Sequence, residues 1–289
     1  MLERTRGVEL FLRQHQARPG LYREVAPARD LRDIVACNWV SVVRQGRFGA
    51  RMPIIPDGCS DILLFDADLP VVVGPDTRMR WADLPEGMVI TGLRLRPGAL
   101  RAVFGCSASE LVDRTVRLHD IAPVSTHFLD SLNFSDSLQR RHALLEEWVR
   151  RARASFTVSD AMVLAACRMI AADPQLPVGT LARRLGWNAR TIQRQFGAAC
   201  GYGPKHMQRV MRIQTALRVA HDSAGRMRAS DIATAAGFAD QAHMTRDFRD
   251  LTGFTPTAYL DFHNTDVGSW LAADVDPAGV SESFKTARR

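Results

Sequence analysis

Two stretches of the sequence place side chains that suit DNA bases on the polar side of a predicted helix. Arginine pairs well with guanine, glutamine with adenine, and threonine packs against the methyl group of thymine. Because these positions lie opposite the apolar positions of each helix, we expect them to face a major groove of double-stranded DNA. The candidates are Arg190, Gln193 and Arg194 in the first stretch, and Gln241, Thr245 and Arg246 in the second.

The two stretches belong to an internal repeat with the pattern of a helix-turn-helix unit. The first copy covers residues 181–204 and the second covers residues 232–256, with Gly186 and Gly237 at equivalent positions. A tight turn between two helices needs a left-handed backbone position, which glycine adopts without strain. The small and apolar residues that recur around each glycine are Ala182, Trp187, Ile192 and Phe196 in the first copy, and Ala233, Phe238, Met244 and Phe248 in the second. The repeat therefore predicts two helix-turn-helix units, each with a buried stripe on its second helix.

A helix predicted from Pro204 to Ala220 connects the two units. Its residues, at a rise of ~1.5 Å each, span roughly 25 Å. Successive major-groove faces on one side of B-DNA lie ~34 Å apart. With the turns at both ends, we expect one polypeptide to place its two second helices in adjacent grooves. That geometry predicts an asymmetric DNA site of about two helical turns per monomer.

Residues 159–262 resemble the DNA-binding domain of the AraC/XylS family of bacterial transcription regulators. In the second copy the resemblance rests on Ile232, Ala233, Ala236, Gly237, Phe238, Phe248, Gly253, Phe254, Thr255, Pro256 and Tyr259. In the first copy it rests on Leu181, Ala182, Leu185, Gly186, Arg194, Phe196, Gly201 and Pro204. The resemblance implies seven helices, with the six candidate side chains at groove-facing positions. By family habit it also implies an activator, with RNA polymerase as a partner.

The second copy departs from the family pattern at Ala242, His243 and Met244. The family often has serine or tyrosine and an aromatic residue there. The departure is expected to change sequence preference and local packing, and to leave the fold unchanged. His243 either faces the groove or packs at the domain surface. We therefore expect base specificity to come mainly from the first unit.

Residues 22–95 have the pattern of short antiparallel strands, because apolar runs alternate with turns such as Pro56-Asp57-Gly58. From Gly98 to Arg153 the periodicity becomes helical. The sequence predicts an α+β N-terminal domain, a small β barrel or sandwich plus helices. An all-α domain follows, with two helix-turn-helix units joined by a long helix. We assign residues 1–150 to a regulatory domain, 151–158 to a linker, 159–263 to the DNA-binding domain and 264–289 to a disordered tail.

The N-terminal half also resembles a reduced, cupin-like sensor domain that is attached to some members of this family. The matching stretches are residues 56–61, 73–75 and 92–99. A small-molecule effector is therefore expected, and the candidates for lining its pocket are Asp57, Asp61, Arg94 and Arg96. The alternative is that Asp57 serves its turn and that the arginines pair with carboxylates on the sheet surface. A predicted helix, Ser135–Arg153, either forms a homodimer contact or packs between the domains.

Composition and motifs exclude several other classes. No apolar run reaches the ~18–20 residues of a membrane span, and residues 1–20 lack the apolar core of a signal peptide, so we expect a soluble cytoplasmic protein. The five cysteines form no C-x-x-C pair, so we expect neither a metal site nor a disulfide framework. No catalytic, phosphate-binding or nucleotide-binding motif is present, so neither an enzyme nor a cofactor is expected. Residues 159–263 carry 13 arginine or lysine residues against eight aspartates, a surplus that suits contacts with phosphates.

Two alternatives to a sequence-specific, effector-responsive regulator stay open. A DNA-repair methyl-transfer protein with the same DNA-binding module would need a four-cysteine zinc cluster. The N-terminal half holds only three separated cysteines, Cys37, Cys59 and Cys106, which argues against that function. A non-specific architectural protein would bind all DNA sequences about equally, and competition with random DNA separates it from a regulator.

Overall fold

The computed structural model describes residues 22–43, 51–65, 68–135, 137–153, 156–223 and 226–264. Within these ranges, a part with antiparallel sheets and helices is followed by an all-helical part, so the predicted fold class is confirmed. Residues 1–21 and 265–289, which include almost all of the predicted tail, lie outside the described ranges.

Strands form two antiparallel sheets in the N-terminal part. They are β1 (Tyr22–Val25), β2 (Val35–Val42), β3 (Arg51–Ile54), β4 (Ser60–Phe65), β5 (Val71–Val73), β6 (Arg80–Asp83), β7 (Val89–Leu95) and β8 (Thr115–Arg117). Six of them pair in the order β1-β2-β7-β4-β5-β8, and β3 pairs with β6 separately. The central strands therefore bring together residues that are distant in sequence, such as Asp61 and Arg94, which lie directly opposite each other.

Helices cover one face of the six-stranded sheet. They are α1 (Leu100–Phe104), α2 (Leu118–Ile121), α3 (Thr126–Asn133) and α4 (Leu138–Ala152). Successive side chains on a strand point to opposite faces. Ile62, Leu64 and Leu93 consequently share one face, where they are buried in a single core with Leu145 and Val149 of α4. The burial of such side chains is the main favourable contribution to folding of this part.

Helix α4 corresponds to the predicted helix 135–153. Its side chains of His142, Leu145 and Val149 are buried. The amide Nδ2 of Asn38 on β2 donates to Oε1 of Glu146 at 2.5 Å. The helix therefore packs on the sheet of its own domain, and a homodimer contact through it stays a prediction.

The opposite face of the six-stranded sheet carries a second apolar cluster. It includes the buried side chains of Trp39, Leu63, Val73 and Ile90. By the alternation along β4 and β7, Asp61 and Arg94 lie on this same face. The polar candidates of the N-terminal domain thus sit among apolar side chains.

Seven helices make up the described C-terminal part, the number that the family resemblance implies. They are α5 (Val158–Ala172), α6 (Val178–Arg184), α7 (Ala189–Cys200), α8 (Pro204–Asp222), α9 (Ala229–Ala235), α10 (Gln241–Thr252) and α11 (Pro256–Asn264). The predicted linker overlaps the end of α4 and the start of α5. Thr157 and Asp160 form a capping box at the start of α5.

Two hydrophobic cores divide the C-terminal part, one for each helix-turn-helix unit. Ile192 and Phe196 are buried in the first core, and Met244 and Phe248 in the second, as the repeat predicts. Trp187 is only half-buried. Helix α8 supplies side chains to both cores, so it connects the two units rigidly. Its 19 residues make it about 28 Å long.

Candidate DNA-binding surface and Arg94 cluster

The first unit, helices α6 and α7, has the geometry of a helix-turn-helix. Gly186 has a φ of +65°, and the next amide, of Trp187, donates to the carbonyl of Ala182 at 2.8 Å. The side chain of Asn188 then accepts from the Thr191 amide at 2.8 Å and begins α7. These bonds fix the direction in which α7 leaves the turn.

The second unit, helices α9 and α10, repeats the same bonds. Gly237 has a φ of +79°, and the amide of Phe238 donates to the carbonyl of Ala233 at 2.9 Å. The carboxylate of Asp240 accepts from the His243 amide at 2.6 Å and begins α10. The sequence repeat is therefore a structural repeat, with one additional residue, Ala239, between the turn and the cap of the second copy.

The six predicted base-contacting side chains lie on the outer side of α7 and α10. Arg190, Gln193, Arg194, Gln241 and Arg246 are exposed, and Thr245 is half-buried. The hydroxyl of Thr245 donates to the carbonyl of Gln241 at 2.9 Å. Within the described ranges, Arg190, Arg194 and Arg246 take part in no ion pair. Their guanidinium groups are accordingly available to an anionic or hydrogen-bonding partner such as DNA.

His243 packs at the start of α10. Its Nδ1 accepts from the Ala239 amide at 3.4 Å, and its ring meets that of Phe238 edge-on at 5.3 Å. Its Nε2 lies 3.6 Å from the carboxylate of Asp247. The structure thus has His243 packed at the domain surface, which is the second of the two alternatives for this residue.

A buried ion-pair network, which the sequence reasoning missed, fixes α10 on α8. Asp247 is buried and accepts from Arg209 Nε at 2.8 Å and from Arg212 Nη2 at 3.1 Å. The guanidinium of Arg212 also lies 5.3 Å from the centre of the Phe238 ring. The sequence could have indicated this network, because Asp247 directly precedes Phe248 and a carboxylate beside a buried side chain needs a cationic partner.

In the N-terminal domain, three of the four predicted effector-binding residues lie together, because Asp57 and Asp61 both contact Arg94. The Nε of Arg94 lies 3.2 Å from Oδ1 of Asp61, and its Nη1 lies 3.5 Å from Oδ2 of Asp57. The indole Nε1 of Trp39 donates to Oδ1 of Asp61 at 2.8 Å. We call Trp39, Asp57, Asp61 and Arg94 the Arg94 cluster.

Arg96 does not join this cluster. It lies beyond the end of β7, and its Nε donates to the carbonyl of Arg32 at 2.7 Å. Asp57 serves its turn as well as the cluster, because its Oδ1 accepts from the Cys59 amide at 2.8 Å. The pairing of Arg94 with carboxylates, foreseen for the sheet surface, occurs on its apolar face.

The surroundings of the Arg94 cluster are poorly solvated and rich in carboxylates. Burial raises the pKa of Asp61 above its usual value, and the charge of Arg94 partly offsets this. Burial also raises the pKa of Tyr22, whose hydroxyl donates to the carboxylate of Glu24 at 2.7 Å. Around one guanidinium the structure thus gathers aromatic rings and more than one acidic group.

The cysteines on this side of the sheet have the properties of buried apolar side chains. Burial is the largest cause that raises the pKa of the Cys37 and Cys59 thiols. A thiol with a raised pKa is a weak nucleophile at neutral pH, because the thiolate is the reactive form.

The turn that carries Asp57 touches the connecting helix α8. The Nε2 of Gln214 donates to the carbonyl of Pro56 at 2.7 Å. A Cβ built at Gly58 would lie 3.1 Å from Sδ of Met207 and 3.3 Å from the hydroxyl of Tyr202. The Arg94 cluster is therefore one residue away from the C-terminal domain.

Strand β6 and the residues before it touch the second unit. The amide of Met79 donates to the carbonyl of Leu251 at 2.6 Å. The ring of Trp81 packs against that of Phe254, with 6.3 Å between ring centres. These contacts join the N-terminal domain to the second unit, while among the described residues the outer sides of α7 and α10 stay exposed.

Within the described ranges, no group of three or more His, Cys, Asp or Glu side chains could hold a metal ion. In the same ranges, every helix is too short or too polar to cross a membrane.

Two family models match the chain, one for each half. Residues 181–261 match a family described as "Helix-turn-helix domain", and residues 23–117 match a "Domain of unknown function (DUF6597)". No curated protein matches the chain. The first match covers both units described above, and the second covers the sheets that carry the Arg94 cluster.

Several solved structures of ToxT from Vibrio cholerae are similar to this chain. ToxT of strain O395 has 12% identity and a TM-score of 0.40, with 73% of this chain and 88% of that chain covered. A 1.65 Å structure has 13% identity and a TM-score of 0.41, with 73% and 89% covered. ToxT of strain SCE256 with a bound unsaturated fatty acid has 13% identity and a TM-score of 0.38, with 73% and 86% covered. These likenesses are too weak to transfer a ligand or an assembly to this chain.

Proposed function

We propose that the protein is a sequence-specific, DNA-binding transcription regulator of the AraC/XylS type, because residues 181–261 match the helix-turn-helix family and fold into two such units. One observation carries the proposal. The two units present Arg194 and Arg246 at equivalent, exposed positions on helices that begin with the same turn and cap bonds. Arginine at such a position suits the O6 and N7 acceptors of guanine.

The length of α8 supports binding to two adjacent grooves. A rod of about 28 Å, with a turn at each end, spans a large part of the ~34 Å that separates successive major-groove faces. Since α8 belongs to both hydrophobic cores, the separation of α7 and α10 is fixed within one molecule. We infer an asymmetric site of about two turns, with Arg190, Gln193 and Arg194 in one groove and Gln241, Thr245 and Arg246 in the other.

The N-terminal domain is proposed to sense a small polar molecule at the Arg94 cluster. The proposal is supported by the position of Arg94 and Asp61, which lie on an otherwise apolar face of the sheet, next to a turn that packs on α8. An effector that competes for Arg94 or Asp61 would displace the Asp57 turn and shift the equilibrium between arrangements of the two domains. Activation through RNA polymerase, a homodimer and action on the nucleoid in the cytoplasm belong to the same proposal, as implications of the family.

The two alternatives have less support. A methyl-transfer repair protein needs an accessible thiolate, whereas burial raises the pKa of Cys37 and Cys59. An architectural protein needs only phosphate contacts, whereas Gln193 beside Arg194 and Thr245 beside Arg246 suit base edges.

A competition experiment tests the proposal directly. DNA selected by the full-length protein is labelled. It is then challenged, at several salt concentrations, with an excess of either the same DNA without label or random-sequence DNA. A regulator should retain the selected DNA, since specific binding is typically about 10³-fold or more tighter than non-specific binding. Equal displacement by both DNAs would support an architectural protein and contradict the proposal.

A further inference from the structure

Gln195 and Asp247 occupy equivalent positions in the two units. Each follows the proposed base-contacting arginine, Arg194 or Arg246, and precedes the buried phenylalanine of its helix. Gln195 is half-buried and Asp247 is buried. These two side chains are therefore placed to fix the rotation of α7 and α10 about their own axes.

The partners of the two residues come from different domains. Asp247 is held by Arg209 and Arg212, which lie on α8 within the C-terminal domain. The Oε1 of Gln195 accepts instead from Arg101 Nη1 at 3.0 Å and from Ser159 Oγ at 2.9 Å. Arg101 lies on α1 of the N-terminal domain, so the first unit is oriented in part from outside its own domain.

Arg101 is itself firmly fixed. Its Nε and Nη2 lie 2.8 Å and 2.7 Å from Oδ1 of Asp160, whose side chain is 4% exposed. Although burial would raise the pKa of Asp160, hydrogen bonds from Thr157 and Arg101 hold it below the usual value. A planar guanidinium whose Nε and Nη2 are held by one carboxylate presents its Nη1 to Gln195 in a defined direction.

The segment that carries Arg101 continues directly from the Arg94 cluster. Strand β7 ends at Leu95, and α1 begins five residues later. Between them, Gly98 has a φ of +86°, and a Cβ built there would lie 3.1 Å from Val163 and 3.2 Å from the thiol of Cys167. This close packing on α5 leaves the segment little freedom to move without moving the first unit.

We propose that Arg101 is a positioning residue for DNA recognition by the first unit. It transmits the placement of the N-terminal domain to α7 through Gln195, whereas the equivalent residue of the second unit, Asp247, is held by α8. The inference rests on the proposed function. It assigns control through Arg101 to the half of the DNA site that Arg194 contacts, and leaves the other half independent of Arg101.

A matched pair of variants tests the inference. Arg101→Ala leaves Gln195 with Ser159, and Arg209→Ala leaves Asp247 with Arg212, so each variant removes one partner and keeps another. The full-length native protein is first used to select its DNA site, and the half contacted by each unit is identified with Arg194→Ala and Arg246→Ala. Affinities are then measured for sites with single base changes in either half.

Arg101→Ala should lose base discrimination only in the half contacted by α7, by roughly tenfold, the equivalent of one hydrogen bond to a charged group. Arg209→Ala should do so only in the other half. Should Arg101→Ala fail to fold, Gln195→Ala decides instead, because it keeps the ion pair between Arg101 and Asp160. A change in both halves alike, or in neither, would overturn the inference while the proposed function stands. A native protein that selects no sequence at all would contradict the proposed function, and the inference with it.

Discussion

The indole of Trp39 covers Gly92 on the neighbouring strand so closely that a Cβ built on the glycine would lie 2.2 Å from Cε2 of the ring. The two residues are direct partners in the register of β2 and β7. In this position the indole also reaches Asp61, to which its Nε1 donates. Gly92 therefore leaves the room that the Trp39 ring needs to reach the Arg94 cluster.

Replacement of Gly92 by alanine should displace the Trp39 ring and break its hydrogen bond with Asp61. Overpacking of this kind costs about 1–3 kcal/mol of unfolding free energy. The loss can be measured by urea denaturation, with tryptophan fluorescence as the readout. Gly179→Ala is a suitable control, because a Cβ there meets nothing within 4 Å in a helix and should be neutral or stabilising. Equal stability of Gly92→Ala and the native protein would show that the ring moves aside without cost.

The two aspartates that Arg209 contacts should differ in their contributions to stability. Asp247 has a side chain that is 9% exposed and a second partner in Arg212, whereas Asp250 is 63% exposed. Removal of one partner from a buried pair costs about 3 kcal/mol or more, whereas an exposed pair contributes at most ~1 kcal/mol. Asp247→Ala should therefore lower the melting temperature far more than Asp250→Ala, and similar losses would contradict the assigned role of Asp247.

His142 should make the protein sensitive to acid. Burial against β2 lowers its pKa to about 4, although its ring donates to the carbonyl of Trp39. A histidine has a pKa of ~6.5 when unfolded, so only the unfolded chain takes up the proton between these values. The stabilising contribution is fully present above pH ~6.5 and is lost as the pH falls towards 4, by on the order of 3 kcal/mol. The unfolding free energy, measured from pH 4.5 to 7, should fall less steeply towards acid pH for His142→Gln than for the native protein. Parallel curves for the two proteins would refute this role of His142.

The sequence predicted the repeated turns, the buried stripes and the exposure of five of the six candidate side chains, because each depends on a residue's own helix or turn. Gly186 and Gly237 suffice to place both turns, and Ile192 and Phe196 suffice to orient α7. The domain order followed from the change of periodicity near Gly98. These features are local, and local features can be inferred from spacing.

Contacts between distant segments escaped prediction. Asp61 and Arg94 were named as candidates, but their pairing depends on the register of β4 and β7. Arg96 seemed equivalent to Arg94, yet it lies past the end of the strand and bonds to Arg32. The contacts of Arg101 with Gln195 and Asp160 join segments 94 and 59 residues apart. Spacing along the chain carries no information about such contacts.

Arg194 and Arg246 should each determine the preference for their own bases. Replacement of either by alanine is expected to cost roughly 1–3 kcal/mol of binding free energy at the bases it contacts, and little elsewhere. Arg183→Ala provides a comparison, because this exposed arginine lies on α6, outside the predicted base-contacting set. Affinities for a panel of sites with single base changes distinguish the variants. Uniform weakening across the panel for Arg194→Ala would make that residue a phosphate contact.

The most direct measurement is in vitro selection of DNA by the full-length protein, followed by footprinting of the selected site. The account predicts an asymmetric motif with two blocks about one helical turn apart, both protected by a single monomer. A single block, a symmetric palindrome that requires two molecules, or an absence of any preferred sequence would contradict the claim that α7 and α10 of one chain occupy adjacent major grooves.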